Sequence, residues 1–309
     1  MSHGHDHAPG GHSHADSGRT RLAIALGITA GILVAEVIGS IITGSLALLV
    51  DAAHMLTDAG GLAIALTAAT LVGRPANSKR TWGLARAEVL GATAQAAVLL
   101  AVGIFVLVEA VQRLFNPPEI EGGPLIVFGV IGLLGNVASI AVLASSRGKN
   151  MNLRAAFLEV LNDALGSIAV IAAALVIAFT GFQLADALAA ILIGLLILPR
   201  AVLLLRDTTN VLLESTPKGL DLGSVRDHIL ELPHVQGVHD LHVTQIATGM
   251  PVLTAHVVVD DSCFYNGHNA HMLDDLQHCV AAHFAVQIEH STFQLEPAGH
   301  GAHEHPTHA

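Results

Sequence analysis

Ser45-Leu46-Ala47-Leu48-Leu49-Val50-Asp51-Ala52-Ala53-His54-Met55-Leu56-Thr57-Asp58 is an apolar run interrupted by one imidazole and two carboxylates. His54 is the single histidine between Arg21 and Arg206. Four positions separate it from Asp58, so on a helix the two side chains stand on one face, a turn apart. Further along, Phe157-Leu158-Glu159-Val160-Leu161-Asn162-Asp163 repeats the device, with Glu159 and Asp163 at the same spacing inside another apolar run. Each pair offers half of a four-coordinate metal site. An ionisable group in a membrane span costs roughly 2–3 kcal/mol or more and is kept where it pairs, ligates or lines water. Polar side chains that only hydrogen-bond helices together are the competing reading. Two matched pairs of ligand-type side chains favour metal.

The surroundings of these stretches are those of a membrane protein. The chain has 309 residues, of which 52% are hydrophobic and 13% charged, about half the charged content of a soluble domain. Aromatic residues make up only 4%, so the ends of spans must be read from charges and breakers instead of an aromatic belt. The chain opens on polar, His-rich sequence, and no cleavable signal peptide is expected. The formal charge of −11 is unevenly spread: residues 1–213 hold 12 Lys and Arg against 13 Asp and Glu, residues 214–309 hold 2 against 12. So acidic a second part repels nucleic acid and attracts divalent cations. Cys263 and Cys279 form no close pair and read as structural filler.

Residues 1–18, with His3, His5, His7, His12 and His14 among Gly, Ser and Asp, cannot bury a core and are expected to be a disordered tail that collects metal loosely. Six spans are expected at residues 22–43, 45–72, 87–114, 124–145, 153–180 and 184–205, each long enough for a hydrocarbon core of about 30 Å. Arg19, Arg21, Arg74, Lys79, Arg80, Arg86, Arg147, Lys149, Arg154, Arg200 and Arg206 all flank one side, and Arg113 stands alone on the other. The positive-inside rule then puts both termini in the cytoplasm, an arrangement that an even number of spans allows. Glu36, Gln95, Glu109 and Asn136 read as helix contacts within spans, and Asp51 as a residue lining an exit path.

The expected organisation is a six-helix transmembrane domain over residues 19–210, a small α+β ferredoxin-like domain over 211–297, and a second His-rich disordered tail over 298–309. Within the small domain, residues 220–232 read as a helix ended by Pro233, 238–247 and 252–259 as strands joined around Gly249, 270–284 as a helix and 287–295 as a strand.

With these motifs in order, the chain resembles the cation diffusion facilitator family. SLALLVDAAHMLTD (45–58) is similar to the family's second span, FLEVLNDALGS (157–167) to its fifth, NVLLESTPKGLD (210–221) to the linker, and LPHVQGVHDLHV (232–243) to the first strand of the cytoplasmic domain. The resemblance spans about residues 20–297. It implies a homodimer, zinc held by His54, Asp58, Glu159 and Asp163 between spans two and five, and export of Zn2+ or related divalent metals from the cytoplasm against protons, across the cell or inner membrane. It also implies a regulatory zinc site in the cytoplasmic domain made by His239, His256 and Glu296.

Two departures qualify the resemblance. Members similar to this chain usually carry His where Glu159 stands, and one imidazole with three carboxylates is a harder ligand set that discriminates less against cobalt, iron or manganese. Residues 73–87 contain no His, Cys, Asp or Glu, so no further metal site is expected there. A membrane metalloenzyme using the same four residues is the first alternative. It lacks an HExxH motif and a spare carboxylate to act as base. A metal sensor that binds without transporting is the second.

Overall fold

The computed structural model describes the backbone of residues 12–71, 77–144 and 151–300. The side chains of Asp58 and Glu159 lie outside the described residues, as do residues 1–11 and 301–309 of the two expected tails. Six long helices come first: α1 (His12–Thr43), α2 (Leu46–Leu71), α3 (Ala85–Arg113), α4 (Gly122–Ala144), α5 (Met151–Thr180) and α6 (Leu184–Leu212). Five of them, α1 and α3 to α6, are long and apolar enough over their described residues to cross a membrane. α2 is 26 residues long, and its described apolar part is Leu46–Thr57.

Two of these boundaries lie well away from expectation, the others within a residue or two. α1 begins at His12, inside the stretch expected to lack structure, and α6 runs on to Leu212, past the expected end at residue 205. A helix already formed continues through weakly helical residues because each added residue gains one backbone hydrogen bond, whereas starting a helix is costly.

The chain divides into two compact units, residues 1–67 with 94–204, and residues 68–93 with 205–309. In the first, α1 passes to α2 through Gly44, whose φ of 67° is easy only for glycine. The buried backbone amides at the start of α2, which have no partner within the helix, are met by α6: Asp186 accepts from Leu46 N at 2.8 Å, from Ala47 N at 3.3 Å and from the Ser45 hydroxyl. A carboxylate at a helix N-terminus satisfies orphan donors and complements the helix dipole, and here it ties two helices distant in sequence. Behind this joint Leu48, Val50, Leu125, Val170, Ala174 and Ile193 form part of the apolar core. Ile41, Leu196 and Phe179 point outward with most of their surface exposed, as lipid-facing side chains do.

The second unit holds α7 (Leu222–Leu230), β1 (Val235–Ala247), β2 (Met250–Val259), α8 (Asn269–Ala282) and β3 (His290–Pro297). This is the expected α-β-β-α-β order. β2 lies in the middle of a three-stranded sheet, antiparallel to β1 and parallel to β3. Asp221 caps α7, accepting from Ser224 Oγ at 2.8 Å and Ser224 N at 3.1 Å. These bonds hold its carboxyl below the usual carboxylate range, the Ser224 hydroxyl first among them. Alternate residues of β2, Leu253, Ala255, Val257 and Val259, are buried against Val225 and Ile229 of α7 and Met272 and Leu276 of α8. That period-two pattern settles which strand residues face away from the helices.

Candidate metal sites

Two sites can be built from the described residues around the ligands expected from sequence, and a third cluster arises where none was expected. In the first unit, His54 of α2 and Asp163 of α5 meet, with His54 Nε2 3.2 Å from Asp163 Oδ1. Both residues are buried. Asp58 and Glu159 stand one turn away along the same two helices. A cavity of about 480 Å³ adjoins the pair, lined among others by Asp51, His54, Asn162, Gly166, Ile197 and Arg200. Another wall comes from α6, whose lining residues Leu192, Ile193, Leu196, Ile197 and Arg200 include no ligand-type side chain and so carry no local signal of a site.

Beside His54 and Asp163 lies a group of buried polar side chains on four helices. Asp51 (α2), Glu36 (α1), Asn136 (α4) and Ser167 (α5) are each no more than 2% exposed. Asn136 Nδ2 donates to Ser167 Oγ at 3.2 Å, and Ser167 Oγ lies 3.5 Å from Asp51 Oδ2. Asp51, Asp163 and Glu36 are near enough for their charges to interact. Two glycines make the space: a Cβ on Gly166 would stand 2.6 Å from Asp51 Oδ1, and one on Gly132 would stand 2.7 Å from Glu36 Oε1. Read singly in the sequence, Glu36 and Asn136 are separate helix contacts. Only the packing of α1 and α5 against α4 gathers them next to Asp51.

In the second unit the three expected ligands come together. His239 of β1 and His256 of β2 are direct cross-strand partners. Glu296 of β3 reaches both, with Oε2 3.2 Å from His239 Nε2 and Oε1 2.5 Å from His256 Nδ1. The two rings are 4.9 Å apart. Glu296 is 1% exposed while its histidine partners are partly open to solvent. Gln294 Nε2 also donates to Glu296 Oε1, at 2.9 Å. A buried carboxylate flanked by two imidazoles, with one ligand atom from each of the three within 4.8 Å of the others, suits a divalent cation of the zinc type. His239 Nδ1, on the far side of its ring, is 3.4 Å from Asp240 Oδ2, the outer carboxylate contact that commonly orients a ligating histidine.

The third cluster is His228, Cys279 and His283, on α7 and at the end of α8. Neither cysteine is in a disulfide; Cys263 belongs to the apolar core and Cys279 is buried beside the two histidines. Burial, and after it the carboxylate of Glu231, push the Cys279 thiol above its usual value.

Comparison with known proteins gives two family matches. The model for the cation efflux transmembrane domain matches residues 22–213, and the model for the cation efflux protein cytoplasmic domain matches residues 217–298. The chain is 44% identical over 296 residues to the metal cation efflux system protein CzcD of Cupriavidus metallidurans, covering 96% of this chain and 90% of the relative. It is 41% identical over 298 residues to the zinc transporter ZitB of Escherichia coli, covering 96% and 93%. A Bacillus subtilis protein named cadmium, cobalt and zinc/H(+)-K(+) antiporter is 34% identical over 293 residues, covering 94% and 93%.

Proposed function

We propose that this chain, which belongs to the cation diffusion facilitator (cation efflux) family, exports zinc from the cytoplasm in exchange for protons. Membership makes it a multi-pass membrane exporter of divalent metal and not an enzyme. Zinc as the cargo and the proton as counter-ion are our reading. They draw on the names of the Escherichia coli and Bacillus subtilis relatives and on the chemistry of the residues here.

The observation that carries the reading is the buried approach of His54 Nε2 and Asp163 Oδ1 at 3.2 Å from two different helices. Zinc bonds of about 2.0–2.2 Å to nitrogen and oxygen, at a tetrahedral angle, separate two ligand atoms by about 3.4 Å. Asp58 and Glu159, a turn away on the same helices, complete four ligands. Imidazole and carboxylates bind metal only when deprotonated, so loading from the cytoplasm expels protons. When the site faces a more acidic exterior, protons compete the metal off and are carried inward as the empty protein returns. Asp51, Glu36, Asn136 and Ser167 supply polar surface beside the site along which a metal or proton can pass.

With one imidazole and three carboxylates the site accepts cadmium, cobalt and harder metals alongside zinc. In the second unit His239, His256 and Glu296 bind zinc as a regulatory site, and the protein works as a homodimer. Both termini face the cytoplasm, with the acidic second unit collecting cations there, and the membrane is the cell (inner) membrane.

Competitive uptake of zinc, cadmium, cobalt, iron and manganese into proteoliposomes under an imposed pH gradient tests this. Zinc flux that rises with the gradient and collapses with a protonophore is the expected result. Flux indifferent to the gradient removes the proton from the mechanism. Metal binding at His239 and His256 with no flux at all favours a membrane-bound metal sensor instead.

A further inference from the structure

The two helices that cover one face of the sheet in the second unit end beside each other, and both ends carry metal-ligand side chains. His228 lies in the last turn of α7. Cys279 lies in the last turn of α8, and His283 is the residue that caps that helix. Cys279 and His283 are at i, i+4, so they share a face of the helix end, and the amide of His283 donates to the Cys279 carbonyl at 3.2 Å, which fixes that turn. We propose that His228, Cys279 and His283 form a third metal site, for a thiophilic divalent cation such as zinc or cadmium, separate from both sites described above.

Several independent features converge on this reading. His228 Nε2 and His283 Nδ1 are 3.2 Å apart, close to the tetrahedral edge of about 3.3 Å that two zinc–imidazole bonds define. One ligand atom from each of the three residues lies within 4.8 Å of the others. The outer nitrogen of His228, Nδ1, is 3.8 Å from Glu231 Oε2, so the ring that would bind metal through Nε2 has a carboxylate behind it. Its plane is held by Phe284, whose ring packs edge-on at 5.5 Å. Both helices present their C-terminal, electronegative ends to the site, which favours a cation.

One thiolate and two imidazoles form the three-ligand set of an open zinc site, with the fourth position left for water or for His278, whose ring is 6.0 Å from that of His283. Such a set is softer than either of the other two sites, and cadmium gains most from the sulfur. A metal bound here ties the end of α7 to the end of α8. It therefore stabilises the helical layer of the second unit by an amount that grows with the logarithm of the metal concentration once that exceeds the dissociation constant.

Thiolate-to-metal charge-transfer absorption separates this site from the rest. Of the two cysteines, Cys263 is buried in the apolar core and belongs to neither ligand cluster found among the described residues. The full-length protein in detergent is titrated with Co2+ and with Cd2+. A charge-transfer band saturating at one thiolate per protomer is expected. It should disappear in Cys279→Ser, persist in a His239→Ala/His256→Ala double variant, and need about tenfold more metal in Glu231→Gln. His283→Ala, at an exposed ring, leaves the fold intact and should weaken binding further. No band in the wild-type protein overturns the proposal. So does a band that survives Cys279→Ser, or one indifferent to both His228→Ala and His283→Ala. None of these readouts depends on transport, so failure here leaves the export reading standing, and failure of export leaves this site to be judged alone.

Discussion

His54 Nε2 and Asp163 Oδ1 face each other at 3.2 Å across α2 and α5, a separation that a single tetrahedral metal ion spans. Removing either partner takes one of the proposed ligand atoms away while the other stays buried. Asp163→Ala and Asp58→Ala should each abolish zinc uptake into proteoliposomes while the protein still elutes as a dimer on size-exclusion chromatography. Uptake at the wild-type rate in either variant sinks the assignment of the transport site.

Glu159 is the proposed transport ligand whose exchange for histidine tests the hardness of the site. Glu159→His gives two imidazoles and two carboxylates, lowers the charge of the proposed ligand set by one and softens one position. Zinc transport should continue, and transport of manganese and iron relative to zinc should fall. Glu159→Ala should lose far more activity than Glu159→His. Equal metal profiles for Glu159→Ala and wild type would reduce this residue to a packing role.

Gly166 stands against the carboxylate of Asp51, and a methyl group there would approach Asp51 Oδ1 to 2.6 Å. Aspartate is too short to swing clear without leaving its place near Ser167. Gly166→Ala should therefore slow zinc flux through displacement of Asp51, and Asp51→Asn should slow it to a comparable extent. The combined variant should be no slower than the worse of the two, because both act on one group. Additive losses would show that Gly166→Ala disturbs α5 packing instead.

The second unit has its own acid sensitivity. Hydrogen bonds to Asp221, and to Asp260 from His234 and Gln236, hold both carboxyls below their usual range. A folded-state value that is depressed adds stability that is complete above the unfolded value of about 3.9 and is lost as pH falls through the lower folded value. Asp221→Ala should therefore lower the thermal midpoint of this unit at neutral pH, and the difference from wild type should shrink progressively below about pH 4. A gap that stays constant down to acid unfolding would mean that Asp221 acts through something other than its charge.

The sequence by itself determined the membrane-spanning class, the helical stretches and the α-β-β-α-β order of the second unit, because hydrophobic run length and period are local properties. It also singled out His54, Asp58, Glu159 and Asp163 as candidate ligands, because i, i+4 spacing on a helix dictates a shared face wherever the helix goes. Where helices begin was less legible, as α1 starting at His12 shows, since extension of a formed helix depends on neighbours more than on composition.

Only tertiary structure decided which faces meet. Nothing in the local pattern around Glu36 or Asn136 says that packing on α4 will bring them beside Asp51. Asp186 caps α2 from 140 residues away, a partnership no window of sequence contains. His239 and His256 are cross-strand partners because of the register of β1 on β2, and a one-residue slip would have turned one of them to the other face. His228, Cys279 and His283 converge because two helices packed on one sheet end side by side. Spacing along the chain specifies what each element offers, whereas the pairing of elements distant in sequence is set by burial of their apolar faces, and that is a property of the folded whole.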